Sequence, residues 1–194
     1  MSDLNGPLVY VMGPSGAGKD SVLNRARMLL SDNVTVVFAH RYITRPAEAG
    51  GENHIELSPA EFTLRRTHGL FAFHWSAHGN EYGIGREIYA WRKAGLTVVV
   101  SGSREHFQKI GGVDDATHPV LITAPAERLA QRLAKRGRED GEAAAERLQR
   151  SKAYDVTDRR LTTIVNDGAL DAAAAALVSL LATLQFSPDV RRRA

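Results

Sequence analysis

One glycine-rich turn limits what this chain can fold into more than any other segment. Gly13, Pro14, Ser15, Gly16, Ala17, Gly18 and Lys19 follow the spacing G-x-x-x-x-G-K. The turn stands directly behind a short apolar run, Pro7 to Met12. It opens residues 20–30, where Val22, Leu23, Ala26, Leu29 and Leu30 fall at helical spacing. Strand, glycine turn and helix in that order are the parts of a phosphate-binding loop. The glycines let the loop wrap so that its N–H groups point inward at an anion. The helix start adds unpaired N–H groups and the positive end of its dipole, and the Lys19 ammonium reaches toward the β- and γ-phosphates as a mobile charge. An ordinary glycine turn between strand and helix is the plainer alternative, and the flanking strand and helix argue against it.

The pattern has one departure. Where Ser or Thr would hold Mg²⁺ after the lysine, the chain has Asp20, and Ser21 follows. Either Asp20 coordinates the ion, directly or through water, or Ser21 takes over. A third possibility leaves Asp20 as a first-turn helix charge. Gly13 to Ser21 are thus the expected ATP-binding residues, with Asp20 and Ser21 the metal-side candidates.

Further apolar runs complete the architecture. Val34 to Ala39, Thr97 to Ser101 and His118 to Thr123 read as buried strands, and Leu161 to Val165 as a weaker one. Continuous apolar strands separated by helices predict a parallel sheet covered on both faces. Helices are expected over Glu87 to Ala94, stopped by Gly95, and over Pro125 to Arg136, stopped by Gly137. Another is expected over Asp171 to Leu184, with Leu177, Leu180, Leu181 and Leu184 as one core-facing stripe. Residues 41–85 and 136–150 interrupt this alternation. The first is polar, aromatic and His-rich, with a short helix near Pro59 to Arg66; the second is Arg-rich around two glycines. In a kinase these would be an acceptor-binding insert and a lid. The 194 residues, without repeat or linker, are expected to form one domain.

Composition narrows the functional classes. The hydrophobic share is 43% and the charged share 24%, which is globular. With no cysteine, disulfides, thiolate metal sites and cysteine nucleophiles are excluded together. A formal charge of +3 without an aromatic-interleaved basic face argues against a nucleic-acid partner. Apolar stretches are strand-sized, short of the ~20 residues of a membrane helix, and residues 1–8 lack a signal-peptide pattern. A cytoplasmic location is expected. None of the seven histidines pairs at a zinc spacing. Pattern and spacing therefore reach ATP-dependent phosphoryl transfer to a small phosphorylated acceptor.

The motifs also carry a resemblance. The loop, Thr44-Arg45-Pro46 with Gly51-Glu52, Tyr82-Gly83, and Val165-Asn166-Asp167 resemble guanylate kinases, as do Arg132, Arg136 and Arg147 at the lid. The resemblance implies a guanylate-kinase-like three-layer fold. The guanine-reading carboxylates of that family are missing. Phe73-His74-Trp75-Ser76 and Ser101-Gly102-Ser103 stand in their places. Arg41 replaces a serine, and neither Ala47 nor Glu48 supplies a second phosphate-binding arginine. Gly13 to Ser21, His40-Arg41-Tyr42-Ile43-Thr44-Arg45, Glu52-Asn53-His54-Ile55 and Gly102-Ser103-Arg104 are more similar to ribose 1,5-bisphosphate phosphokinases, in which Asp after the loop lysine is usual. That likeness implies ATP·Mg²⁺ and a phosphorylated sugar as ligands, with a 5-phosphoribosyl 1-diphosphate product and a place in phosphonate breakdown. A guanylate kinase, or an inactive guanylate-kinase-like binding module, is the alternative.

A phosphate-oxygen nucleophile is already ionised and needs no strong base, so cations should gather around the site. Arg41 and Arg45 are expected to hold acceptor phosphate, because arginine forks match phosphate oxygens. Tyr82 is expected to donate its hydroxyl. Arg104 follows a central strand's C-terminal end, where ligands of open α/β sheets gather. Lys19, Arg136 and Arg147 are the expected catalytic cations, the last two brought in by a closing lid.

Overall fold

The alternation of apolar strands and amphipathic helices closes into two sheets in the computed structural model, which describes residues 6–49, 52–111, 114–135 and 156–185. The core strands are β1 (Leu8–Met12), β2 (Val36–Phe38), β7 (Thr97–Ser101), β8 (Thr117–Thr123) and β9 (Thr162–Val165). They pair in parallel in the order β2-β7-β1-β8-β9, with Val11 opposite Ser101 and Met12 opposite Leu121. This order puts β1 in the middle, where all five residues are buried.

Both faces of β1 are apolar because helices cover both. Val9 and Val11 point to one face and join Val22, Leu23 and Ala26 of α1 (Lys19–Leu29). Ala174, Leu177 and Leu181 of α6 (Leu170–Gln185) complete that layer, with Leu129 of α5 (Ala126–Lys135). Leu8, Tyr10 and Met12 point the other way, toward Ile88 of α3 (Glu87–Lys93) and Phe107 of α4 (Arg104–Ile110). The expected leucine stripe holds: Leu177 and Leu181 are fully buried, and Leu180 and Leu184 pack at the margin.

The 41–85 region, which the sequence set apart with one short helix, builds a sheet of its own. Strands β3 (Arg41–Ile43), β4 (Ile55–Glu56), β5 (Phe71–Ala77) and β6 (Asn80–Gly85) pair in the order β4-β3-β6-β5. Helix α2 (Pro59–Thr67) starts at Ser58, whose side chain accepts from the Glu61 N–H, and buries Phe62 against Leu57 and Phe71. The β5–β6 hairpin turns on His78 and Gly79, at φ 51° and 71°. Two left-handed residues are what a tight two-residue hairpin needs, so Gly79 is the permissive member and His78 the strained one. Phe73 and Ile84 attach this second sheet to the Tyr10 face of the core.

Candidate active site

Loop residues Gly13 to Gly18 connect β1 to α1. Gly18 caps the helix at φ 80°, a left-handed conformation. A Cβ there would also stand 2.5 Å from the Asn166 Nδ2, so both backbone and space require glycine. The loop's carbonyls are held from behind. Asn166 Nδ2 donates to Ala17 O at 2.8 Å, and Arg132 Nη1 donates to the same oxygen at 3.2 Å. Arg132 Nη2 closes the triangle on Asn166 O at 3.0 Å. The Ala17 N–H donates within the loop to Pro14 O at 3.2 Å, and the other loop N–H groups are what an anion would need. Ala17 and Asn166 are buried, at 0% and 4% exposure.

At the loop mouth stands a compact set of charges. Lys19 Nζ donates to Asp20 Oδ1 at 2.8 Å and to the Ser101 hydroxyl at the end of β7. Burial, reinforced by the nearby Arg41 charge and opposed by Asp20, lowers the Lys19 pKa. Arg41 opens β3 and grips Glu52 through one guanidinium edge, Nε donating to Oε1 at 2.6 Å and Nη2 to Oε2. Its Nη2 also stands 3.4 Å from Asp20 Oδ1. Arg45 approaches the same Glu52 carboxylate at 3.7 Å. The Arg41 guanidinium lies 5.3 Å from the centre of the Tyr82 ring, which stacks on Trp75 at 5.5 Å. Burial raises the Tyr82 pKa, with Arg41 and Arg45 opposing, so its hydroxyl is a donor at neutral pH.

The expected residues are therefore partly gathered. Lys19, Asp20, Arg41, Arg45 and Tyr82 share one chain of contacts that runs through Glu52. Ser21 is exposed in the first turn of α1. Arg104 opens α4, behind Ser103, whose hydroxyl accepts from the His106 N–H. Arg136 and Arg147, with the rest of the expected lid, lie outside the described residues. Three positions given no role in the sequence reading emerge from the geometry, Glu52, Ser101 and Asn166, and Arg132, grouped there with the lid arginines, holds the loop from behind. Glu52 stood in the acceptor segment and Ser101 in the Ser101-Gly102-Ser103 run, but neither motif pointed to these contacts. Asn166 did carry a signal, since it ends a strand in the Val165-Asn166-Asp167 run.

The residues at the mouth also fit a hard divalent cation. The Asp20 carboxylate opens α1 beside Lys19, and the Ser21 hydroxyl is on the same turn; such ions take oxygen donors and keep phosphate and water ligands besides.

A family model described as an AAA domain matches residues 9–155. Curated relatives named ribose 1,5-bisphosphate phosphokinase PhnN match nearly end to end. The Desulfomicrobium baculatum protein is 49% identical over 174 residues, 90% of this chain and 93% of its own. Its counterpart from Thiobacillus denitrificans is 46% identical over 182 residues, 94% and 96% of the two chains. The Burkholderia pseudomallei protein is 50% identical over 181 residues, 93% and 97%. Among solved structures, the guanylate kinase of Anaplasma phagocytophilum superposes with a TM-score of 0.66 at 20% identity, covering 94% of this chain and 88% of that one. At that identity the likeness carries the three-layer α/β fold alone.

Proposed function

The chain belongs to the AAA domain family and to the ribose 1,5-bisphosphate phosphokinase PhnN family, and from that premise we propose that it transfers the γ-phosphoryl group of ATP to ribose 1,5-bisphosphate. The products are ADP and 5-phospho-α-D-ribosyl 1-diphosphate. An oxygen of the acceptor's 1-phosphate forms the new bond to the γ-phosphorus, and the bond from that phosphorus to the β–γ bridging oxygen breaks. The attacking oxygen is ionised at neutral pH, so no side chain has to remove a proton. The protein's work is placement and charge stabilisation.

The observation that supports this reading most is the meeting of Lys19, Asp20, Arg41, Arg45 and Glu52 at the mouth of a braced phosphate loop. Loop N–H groups between Gly13 and Gly18, Pro14 having none, bind the β-phosphate, and Lys19 bridges toward the γ-phosphate. Burial lowers the Lys19 pKa, and a bound nucleotide anion would favour its charged form. Asp20 and Ser21 would hold Mg²⁺, which when bound neutralises the β- and γ-oxygens. Arg41 and Arg45 hold the attacking phosphate, Tyr82 donates its hydroxyl to it, and Arg104 flanks the site at the end of β7. Arg136 and Arg147 are assigned to the closing lid. We read residues 1–194 as one P-loop kinase domain, with residues 41–85 as the acceptor insert and about 136–150 as the lid.

A phosphoryl-transfer assay across ribose 1,5-bisphosphate, GMP and AMP, with products identified by mass, tests the reading. We expect Mg²⁺-dependent ADP release with ribose 1,5-bisphosphate and a product heavier by one phosphoryl group. Lys19→Ala should lower kcat at least about a hundredfold, as loss of a group that stabilises transition-state charge does. Turnover of GMP in preference to the sugar bisphosphate would overturn the assignment.

A further inference from the structure

The acceptor in the proposed reaction carries two phosphates, and the charges at the loop mouth are suited to only one of them. A place for the other phosphate has meaning only if that reaction is the right one. The cleft beside the loop is lined along α1 by Asp20, Asn24 and Arg27, and across from them by Arg41, Glu52 and Asn53. Positions 20, 24 and 27 fall on one helix face. The two ends of this wall differ in charge balance. Near the loop, Lys19 is paired with Asp20 and Arg41 with Glu52. At the far end stands Arg27, eight residues beyond Lys19, or ~12 Å along the helix axis.

Arg27 is half-buried, with its guanidinium 5.4 Å from the centre of the Phe38 ring. Among the described residues, no carboxylate forms an ion pair with it. Burial lowers its pKa. Desolvating a guanidinium costs free energy that the ring face returns only in part. A cation kept in this state inside a cleft is suited to an incoming anion. The carboxylates that line the same cleft, Asp20 and Glu52, are each paired with a cation at the loop end, and the polar groups beside Arg27 on the wall are neutral amides. Asn53 Nδ2 stands 3.1 Å from His40 Nε2, and Asn24 faces the same space. The plainer alternative is a surface arginine that merely covers Phe38.

We propose that Arg27, with Asn24 and Asn53, forms the subsite for the acceptor's second phosphate, the one that is not phosphorylated, and thereby selects a bisphosphorylated sugar over a monophosphorylated one. Arg27 is then a specificity residue. It contacts the substrate ~12 Å of helix away from the lysine that serves the transferred group, so its loss should weaken acceptor binding and leave the chemical step nearly intact. A site built to pair with a charged group discriminates strongly against a ligand that lacks it.

The test uses the full chain and two ligands, ribose 1,5-bisphosphate and ribose 1-phosphate, in calorimetric titration and steady-state assay. Arg27→Gln should weaken binding of the bisphosphate, and raise its KM, by about ten- to hundredfold, the range of a lost charge-assisted contact. Its kcat should stay within about threefold of wild type, and ribose 1-phosphate should bind both proteins alike. Arg27→Met keeps the packing over Phe38 without the charge and should behave as Arg27→Gln does, with unchanged ATP affinity reporting an intact fold. Wild-type bisphosphate affinity in either variant overturns the subsite, as does an equal loss for both sugars. In those cases wild-type turnover of ribose 1,5-bisphosphate would leave the proposed reaction standing. A wild-type protein that neither binds nor phosphorylates the bisphosphate would overturn both.

Discussion

Glu52 holds one guanidinium through both carboxylate oxygens and draws in a second, Arg45, at 3.7 Å. The Arg41 and Glu52 side chains are only 10% and 11% exposed. As a net stabiliser such a pair is weak, because desolvation offsets the attraction, yet deleting one member strands the other. Glu52→Ala should therefore lower stability by about 3 kcal/mol, the lower end for a broken buried pair, since Asp20 remains 3.4 Å from Arg41 and takes up part of the charge. Arg41→Ala should be costly for the same reason. In urea unfolding the double variant should cost at least about 1 kcal/mol less than the sum of the singles. Simple additivity would show that the two groups do not sense each other. At this scale the sequence was readable where the chemistry is contiguous. The loop from Gly13 to Lys19 fits in seven consecutive residues, and Asp20 and Ser21 follow at once. Arg41 and Arg45 were readable as cations, but their pairing with a carboxylate was not, because Glu52 reaches them only when the connection between β3 and β4 folds back. Ser101 was noticed for the carboxylate it replaces, while its contact with Lys19 depends on β7 lying beside β1.

Elements were legible according to how completely they are buried. Strands β1, β7 and β8 are long apolar runs because helices cover both their faces, and such runs are visible without any alignment. The second sheet was not. Its strands β3 and β4 are three and two residues long, too short for a period to register, and the exposed His74 and Ser76 break the apolar pattern of β5. The hairpin signal, His78-Gly79, lacks the Asn or Asp that usually marks such a turn. Helix α4 is seven residues of mostly polar sequence with only Phe107 buried. A related dependence between elements governs the phosphate loop, whose carbonyls are held by α5 through Arg132 and by the end of β9 through Asn166. Asn166→Ala removes a buried donor from Ala17 O and leaves Arg132 as its remaining support. The loss of one such bond should raise the KM for ATP about tenfold while the KM for the acceptor stays near wild type. An equal rise in both constants would mean that Asn166 supports the fold at large and has no specific hold on the loop.

For the molecule as a whole, the decisive feature is how the second sheet joins the core, and His106 sits at that joint. It stacks over Tyr10 of the central strand with 6.4 Å between centroids, meets Trp75 at 5.3 Å, and approaches Phe73 edge-on at 5.7 Å. Its Nδ1 stands 3.0 Å from the Tyr10 hydroxyl, which also accepts from the Ser103 N–H at 3.2 Å. A neutral ring can accept from that hydroxyl, whereas a protonated one cannot. Burial, followed by repulsion from His74 and Lys109, brings the His106 pKa down from 6.5 to about 4. Between those two values the unfolded chain binds a proton that the folded chain refuses, so stability rises with pH across that window. Above it both states are neutral at this position and the contribution is flat; below about 4 both are protonated and the loss is complete. Thermal melts of the wild-type protein should therefore decline steadily as pH falls from 6.5 toward 4.5, with the two sheets losing their common aromatic contact. His106→Gln keeps a polar partner for Tyr10 but cannot titrate. Its melting temperature should fall less steeply over the same range, with the residual slope left to His40 and His118, which burial also holds below the usual histidine value. Equal slopes in the two proteins would show that protonation at the joint does not couple to folding.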